Sequence, residues 1–403
     1  MHCVTNIHED LYWLGGSDRQ LAKFENVFPI PRGVSYNAYL VLDEKTVLLD
    51  TVDKAVGERF FENLEFALAG RPLDYVVVNH MEPDHCATLG ELLRRWPGAQ
   101  VVANAKTVPM VSQFFDCDIS NRAVVVKEGD TLCTGRHTFT FLMAPMVHWP
   151  EVMVTYDAAD KVLFSADAFG TFGALNGNIF ADQVDFERDW LDDARRYYTN
   201  IVGKYGAQVQ SLLKRAAGME IQMICPLHGP IWRENIGWFL EKYKRWSTYT
   251  PEAWTAAIFC GSIYGHTENA CEILASRLAE KGVRHVRIFD VSHTDVSEQV
   301  SAAFQCSHLV FASATYNGGI YTPMETLLLE LKAHALQNRT VALIENGSWG
   351  PAAARLMAKH LEEMKGMEQI APPITIRSAV KEEQYRKLED LADLIAADIA
   401  AEE

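Results

Sequence analysis

The sequence predicts an α/β protein of two domains, a layered half built on a β-sandwich followed by a doubly wound parallel sheet. Three observations carry this. At 403 residues the chain exceeds one ordinary core, and the usual domain size divides it into roughly two to three units. Up to about residue 165 the apolar residues come in short strand-like runs separated by turn residues. Beyond about residue 250 strands alternate regularly with helical stretches, the pattern of right-handed βαβ units with helices on both faces of a sheet.

In order, the first half reads as DLYWLGG from Asp10, YNAYLVL from Tyr36, TVLLD from Thr46, DYVVVN from Asp74, AVVVK from Ala123 and FTFLM from Phe139. Each is short and rich in β-branched or aromatic residues, as strands are. VGERFFENLEFALAG from Val56 has helical spacing instead. After Asp167 a helical segment around 186–217 leads into the strand MEIQMICP and then His228. WSTYTPEAW (246–254), with Pro251 and small polar residues, reads as a linker, so domains of 1–250 and 254–403 are expected. The second half runs TAAIFC, a helix from Glu268, HVRIFD, a helix, HLVFAS, a helix from Met324, TVALIE, a helix from Ala352, ITIR and a final helix from Glu382. Five strands at this spacing fit a flavodoxin-like sheet, whose ligand sits at the carboxyl ends of the strands.

Composition excludes several classes. Apolar residues make up 48% and charged residues 22%, which rules out a disordered, collagenous or coiled-coil chain. No uninterrupted apolar run approaches the roughly 18 residues that span a bilayer, and MHCVTNIHEDLYW carries no secretory pattern. A soluble, cytoplasmic protein with no membrane partner is expected. Asp and Glu number 53 against 37 Lys and Arg, a net charge of −16 without any basic block, so nucleic acid is not a partner. Eight cysteines are scattered without a C-x-x-C pair, which argues against a disulfide framework, a zinc ribbon or a rubredoxin-type iron site in this sequence.

Residues 79–88 read NHMEPDHCAT directly after the strand-like DYVVV. A lone histidine is usually a satisfied core residue. His80, Glu82, Asp84 and His85 within six positions converge only if the loop wraps a common centre, as a metal site requires. His148 in MVHWPE, Asp167 in LFSADAFG and His228 in CPLHGP each follow an apolar run as well. Seven candidate ligands exceed the four of a tetrahedral structural site. Two divalent ions against three carboxylates and one bridging hydroxide would be neutral. Histidine with carboxylate and no thiolate is compatible with zinc, iron or manganese, and the carboxylate share favours iron or manganese. Trp149, beside His148, reads equally as pocket wall or core aromatic.

The strand TAAIFC runs into GSIYGHTEN. Ser262, Tyr264, Gly265 and Thr267 place hydroxyls and a flexible backbone where a helix begins, a phosphate site that needs no Lys or Arg. G-x-x-x-x-G-K and G-x-G-x-x-G are both absent, which excludes a nucleoside-triphosphate loop and a dinucleotide fingerprint. SATYNGGIYTP (313–323) and ENGSWGPAA (345–353) follow the third and fourth strands. All three loops look like those of flavodoxins, a resemblance that implies Thr315, Tyr316, Asn317 and Gly318 on one side of a flavin ring and Ser348, Trp349 and Gly350 on the other. One mononucleotide phosphate site points to FMN rather than FAD.

H-x-E-x-D-H at 80–85 with His148, Asp167 and His228, followed by flavodoxin-like loops in this order, resembles the flavodiiron proteins (A-type flavoproteins) over essentially the whole chain. The resemblance implies a metallo-β-lactamase-like αββα sandwich ahead of a five-stranded flavodoxin-like sheet. It implies two irons: His80, Glu82 and His148 on one, Asp84, His85 and His228 on the other, Asp167 bridging. It also implies FMN held by Ser262, Ile263, Tyr264, Gly265, His266 and Thr267 together with the two later loops. The implied activity passes electrons from FMN to the non-haem di-iron centre and reduces dioxygen to water, nitric oxide to nitrous oxide, or both. The donor would be a rubredoxin-like protein or a reduced deazaflavin, and the working unit a head-to-tail homodimer or a dimer of dimers. The competing reading is a metal-dependent hydrolase with an appended flavodoxin module. Hydrolases of that superfamily carry His where this chain has Glu82, and this exchange speaks for the oxidoreductase.

Overall fold

The computed structural model describes residues 1–402. The chain divides into two compact units, Met1–Tyr198 with Ala207–Tyr243, and Thr199–Gly206 with everything from Lys244 onward. The sequence reading places the break at 250–254 instead.

The first unit holds two sheets. One takes seven strands in the order Thr5–Asn6, Leu11–Trp13, Tyr39–Leu42, Thr46–Leu49, Tyr75–Val77, Gln100–Asn104 and Ala123–Val126. It is antiparallel up to Thr46–Leu49 and parallel from there on. The other takes Thr131–Cys133, Thr138–Met143, Met153–Asp157, Val162–Phe164 and Met223–Cys225, with only the last pair parallel. Helix Gly57–Leu68 buries Phe60, Phe61, Leu64 and Leu68, the face its sequence spacing requires. Polar side chains tie the two sheets together. The Tyr39 hydroxyl donates to the Pro226 carbonyl at 2.6 Å, and the Asn37 amide donates to the Pro226 and Gly229 carbonyls at 2.9 Å.

These connections place the chemistry. His80 follows Tyr75–Val77, Asp167 follows Val162–Phe164, His228 follows Met223–Cys225, and His148 lies in the turn between Thr138–Met143 and Met153–Asp157. His80, His148, Asp167 and His228 therefore lie beyond strand ends, where backbone bonding stops and side chains are free to converge. Glu82 caps the short helix Pro83–Cys86, and Asp84 and His85 sit in that helix, not in an open loop.

In the second unit the strand order is Arg287–Asp290, Ala253–Gly261, Cys306–Tyr316, Arg339–Asn346 and Met367–Gln369, all parallel. That is the doubly wound order with the first strand second in the sheet. The fifth strand comes in two pieces, since Ile374–Ile376 pairs with the far end of Arg339–Asn346. Both faces are buried. Phe259, Phe311 and Leu343 pack on the side of helices Val296–Gln305, Thr322–Ala333 and Ala353–Glu362. Ile258, Val310 and Ile344 pack on the side of His266–Glu280 and Glu382–Glu402.

The linker expected at 246–254 is mostly ordered structure. Helix Ile236–Ser247 runs into it and strand Ala253–Gly261 begins inside it. Tyr249 between them is 8% exposed, and its carbonyl accepts a 2.7 Å bond from the buried Arg339 guanidinium. Arg339 also donates to the carbonyls of Ala303 and Phe304 at the end of helix Val296–Gln305, where the helix dipole favours a cation. Small polar residues suggested a loose segment, and a guanidinium far along the chain holds Tyr249 within the second unit.

Candidate metal and flavin sites

All seven metal candidates come together in the first unit. Ligand-type atoms of His80, Glu82, His148 and Asp167 lie within 4.8 Å of one another, as do those of Asp84, His85 and His228. In the first group Glu82 Oε2 stands 3.2 Å from His80 Nε2 and 2.9 Å from His148 Nε2. In the second, Asp84 Oδ2 stands 3.3 Å from His85 Nε2 and 3.2 Å from His228 Nε2, and the two imidazole nitrogens are 3.0 Å apart. Asp167 faces both groups. Its Oδ2 is 3.4 and 3.2 Å from His80 and His148, and its Oδ1 is 3.1 and 3.7 Å from His85 and His228.

This donor set fits cations. Buried carboxylates normally have hydrogen-bond partners, yet both oxygens of Asp84 and Oδ1 of Asp167 have none among the described residues. Burial disfavours charge on these groups, but the close carboxylates and imidazoles override it. They hold Asp167 well below the usual carboxylate range, push His80 well above the usual imidazole value and push His148 up to about 9. The pocket draws positive charge inward. Glu82, Asp84 and His148 keep 7 to 8% exposure while His80, His85 and His228 keep 1% or less, so the edge formed by the first three is the less buried one.

Second partners fix the ligand rings. His80 Nδ1 donates to Glu151 Oε1 at 2.8 Å, and His228 Nδ1 donates to the Ser35 carbonyl at 2.8 Å, the arrangement that sets tautomer and orientation at metal sites. Asp50 holds the start of the ligand loop, accepting from the backbone N–H of Asn79 at 2.7 Å and from the Asn79 amide at 2.7 Å. Aromatic rings wall the site. Phe24 and Tyr197 lie 5.3 and 5.4 Å from the His228 ring, and Trp149 lies 5.4 Å from the His80 ring. Trp149 is thus pocket wall. The Tyr197 ring leans on the Asp167 loop because Gly170 leaves room: a Cβ there would sit 3.0 Å from the ring. Its hydroxyl is buried without a partner among the described residues.

Glu151, Asp50 and Tyr197 are absent from the sequence-derived set. Glu151 lies three positions after His148, and Asp50 ends the apolar run TVLLD. Both are weak signals that a ligand search could follow. Tyr197 has no local signal.

In the second unit a cavity of about 400 Å³ opens at the carboxyl ends of the parallel strands. It is lined by Ser262, Ile263, Tyr264, His266 and Thr267, by Thr315, Asn317 and Gly318, and by Ser348, Trp349 and Gly350. Gly265 and Tyr316 do not line it. Gly265 instead shapes the turn: its φ of +87° starts helix His266–Glu280, and its N–H donates to Ser262 Oγ at 3.1 Å. Any other residue would be strained there. Thr315 lines the wall, but its hydroxyl is already committed, accepting from the backbone N–H groups of Ala352 and Ala353. Ala314, Asn346, Gly347 and Ser378 complete the wall and were not anticipated. The first N–H groups of helix His266–Glu280 and the 2%-exposed Thr267 offer a phosphate cradle without a cationic side chain, which fits a flavin mononucleotide.

Comparison with known proteins places this geometry. A family model described as ODP family beta lactamase matches residues 34–229. The anaerobic nitric oxide reductase flavorubredoxin of Escherichia coli is 30% identical over 362 residues, covering 89% of this chain and 75% of the relative. The solved rubredoxin oxygen:oxidoreductase of Desulfovibrio gigas superposes with a TM-score of 0.91 at 28% identity over 99% of both chains. A flavo di-iron protein variant from Thermotoga maritima superposes with a TM-score of 0.90 at 26% identity, again over 99% of both.

Proposed function

This chain belongs to the flavodiiron protein family and is an oxidoreductase, and on that premise we propose that it reduces dioxygen to water, nitric oxide to nitrous oxide, or both. Two irons would be held by His80, Glu82 and His148 and by Asp84, His85 and His228, with Asp167 between them. FMN would be held by the 262–267 loop and the loops at 315–318 and 348–350. When bound, the flavin accepts and releases electrons singly and the iron pair offers two more electrons with open positions for a diatomic molecule, so together they hold the four that dioxygen needs.

The single observation that supports this reading best is Asp167, whose two oxygens face the two ligand groups separately. Around it the chain's own residues have definite work. Glu151 and the Ser35 carbonyl keep His80 and His228 aimed inward. Phe24, Tyr36 and Trp149 exclude water from the ring edges. Burial and the nearby Asp167, Asp84 and Glu82 keep the proton on the Tyr197 phenol, which leaves it available as a hydrogen-bond donor at the pocket wall.

The electron donor we infer is a rubredoxin-like protein or a reduced deazaflavin reaching the open side of the flavin cavity. No described helix is long and apolar enough to cross a membrane. The eight cysteines stand free, as in a reducing compartment, which supports cytoplasmic residence. Tyr264 and Trp349, 91% and 93% exposed beside the cavity, support a head-to-tail homodimer in which a second copy covers this rim.

The test is metal and flavin analysis followed by steady-state turnover with each gas side by side, using both donor types. Two irons and one FMN per chain with consumption of at least one gas are expected. Zinc without iron, or iron and flavin with neither gas consumed, would overturn the reading.

A further inference from the structure

A line of aromatic side chains in the first unit leaves the metal pocket and reaches the surface. It starts two residues beyond Asp167, where the backbone N–H of Phe169 donates to the Tyr243 hydroxyl at 2.6 Å. The Phe169 and Tyr243 rings are 4.4 Å apart between centroids. Tyr243 lies 5.5 Å from Phe239, and Phe239 stacks on Trp232 at 4.2 Å and 12°. Trp238 stands 6.3 Å from both Trp232 and Phe239. Tyr243, Phe239 and Trp232 are buried, whereas Trp238 is half-exposed, with the Lys242 ammonium 5.4 Å from its ring.

Packing alone explains this line poorly. The Trp232 indole N–H is buried and has no partner among the described residues, a defect that costs about 1–3 kcal/mol and that phenylalanine at the same place would avoid. A buried polar group left unpaired calls for a reason, and a redox role is one of the few. Tyrosine and tryptophan are also the side chains most readily oxidised by one electron.

We propose that Tyr243, Phe239, Trp232 and Trp238 form an escape relay that carries an oxidising equivalent from the metal pocket to the protein surface. The proposal rests on the oxygen-reducing reading above. When dioxygen reduction stops short for want of flavin electrons, an oxidant of the hydroxyl-radical class is left in the pocket. It takes one electron and one proton and leaves as water. Trp238 gives up that electron through the relay and loses its indole proton to solvent, while the pocket takes one proton from water. One electron and one proton are transferred in all, and damage appears at a replaceable surface ring rather than at the metal-holding histidines.

The experiment adds hydrogen peroxide to reduced holoprotein without an electron donor, freezes samples for electron paramagnetic resonance, and maps oxygen adducts by peptide mass spectrometry. Trp96, partly exposed like Trp238 but outside this aromatic line, reports attack from bulk solution. The expected result is a tryptophan radical and several-fold more adduct on Trp238 than on Trp96. In Trp232→Phe, which keeps the stack, the radical falls and adducts shift to pocket side chains such as Trp149. Trp238→Phe at the surface loses the radical without a folding risk. Equal labelling of Trp238 and Trp96, or Trp238 labelling unchanged in Trp232→Phe, overturns the relay. Uptake of oxygen and of nitric oxide with donor present is measured on the same preparations. Normal uptake without preference for Trp238 defeats the relay alone, and preference for Trp238 without uptake of either gas defeats the proposed function alone.

Discussion

Asp167 has one oxygen 3.1 Å from His85 and the other 3.2 Å from His148, so removing it strips an oxygen from both ligand groups at once. Asp167→Ala is expected to lose both irons together, read as metal per chain. Loss of only one would make Asp167 a terminal ligand and refute the bridge. Glu151 acts a step further out, through His80 Nδ1. Glu151→Gln keeps its shape but removes the charge that orients the ring, and changes of this kind weaken metal binding by about 10- to 100-fold. Chelator competition checks it, and iron retention equal to wild type would leave Glu151 without this role. The contrast between these residues explains what could be read in advance. His80, Glu82, Asp84 and His85 crowd six positions and the other candidates each follow a strand, so residue type and position both pointed to the side chains that cluster. Glu151, Asp50 and Tyr197 work through contacts between segments far apart in sequence, which position marks weakly for Glu151 and Asp50 and not at all for Tyr197.

His137 joins elements rather than ligands. Its Nε2 meets Asp10, just before strand Leu11–Trp13 of one sheet, and its Nδ1 meets Asp157, the last residue of strand Met153–Asp157 in the other, at 2.9 and 2.8 Å. Burial alone would lower its pKa, but Asp157 and Asp10 outweigh that and raise it to about 9, from an ordinary value of 6.5. A raised histidine stabilises fully below the unfolded value, and its contribution fades as pH climbs through the folded one. Thermal stability should therefore fall between roughly pH 7 and 9.5 in a way that His137→Gln, already less stable at pH 6, does not show. Parallel pH profiles for the two proteins that superimpose would exclude this tie. At this scale the doubly wound half was legible nearly strand by strand, because strands buried on both faces read as continuous apolar runs such as TAAIFC and HLVFAS. The first half was less so. Thr131–Cys133 and Met153–Asp157 are short antiparallel strands whose pairing, not composition, defines them. The supposed linker was misread for a related reason, since Pro251 and its small neighbours do not reveal that Tyr249 is held from Arg339.

At the scale of the whole molecule, the flavin cavity and the metal cluster belong to different units of the chain, and electron transfer weakens steeply with distance. Tyr264 and Trp349 line the flavin cavity and keep wide outward exposure, and the proposed partner copy would cover this rim. A closed two-fold pair would let that rim on each copy meet the metal unit of the other, so each flavin would serve the partner's irons. Two single-site variants separate this arrangement from transfer within one chain. Asp84→Ala damages the iron site. Thr267→Ala removes the hydroxyl proposed to face the FMN phosphate, a charge-assisted bond that would be worth about 1.5–3 kcal/mol, or about 10- to 100-fold in FMN affinity, with iron content expected to stay unchanged. Each homodimer is then nearly inactive at limiting FMN. Mixed under conditions of subunit exchange, they form a heterodimer in which the intact flavin of the Asp84 variant faces the intact irons of the Thr267 variant. Activity should return toward half the wild-type value per heterodimer, since one of its two flavin–iron pairs is intact. If exchange is demonstrated by mass spectrometry and activity stays at the level of the separate variants, each chain passes electrons within itself and the head-to-tail assembly has no catalytic role.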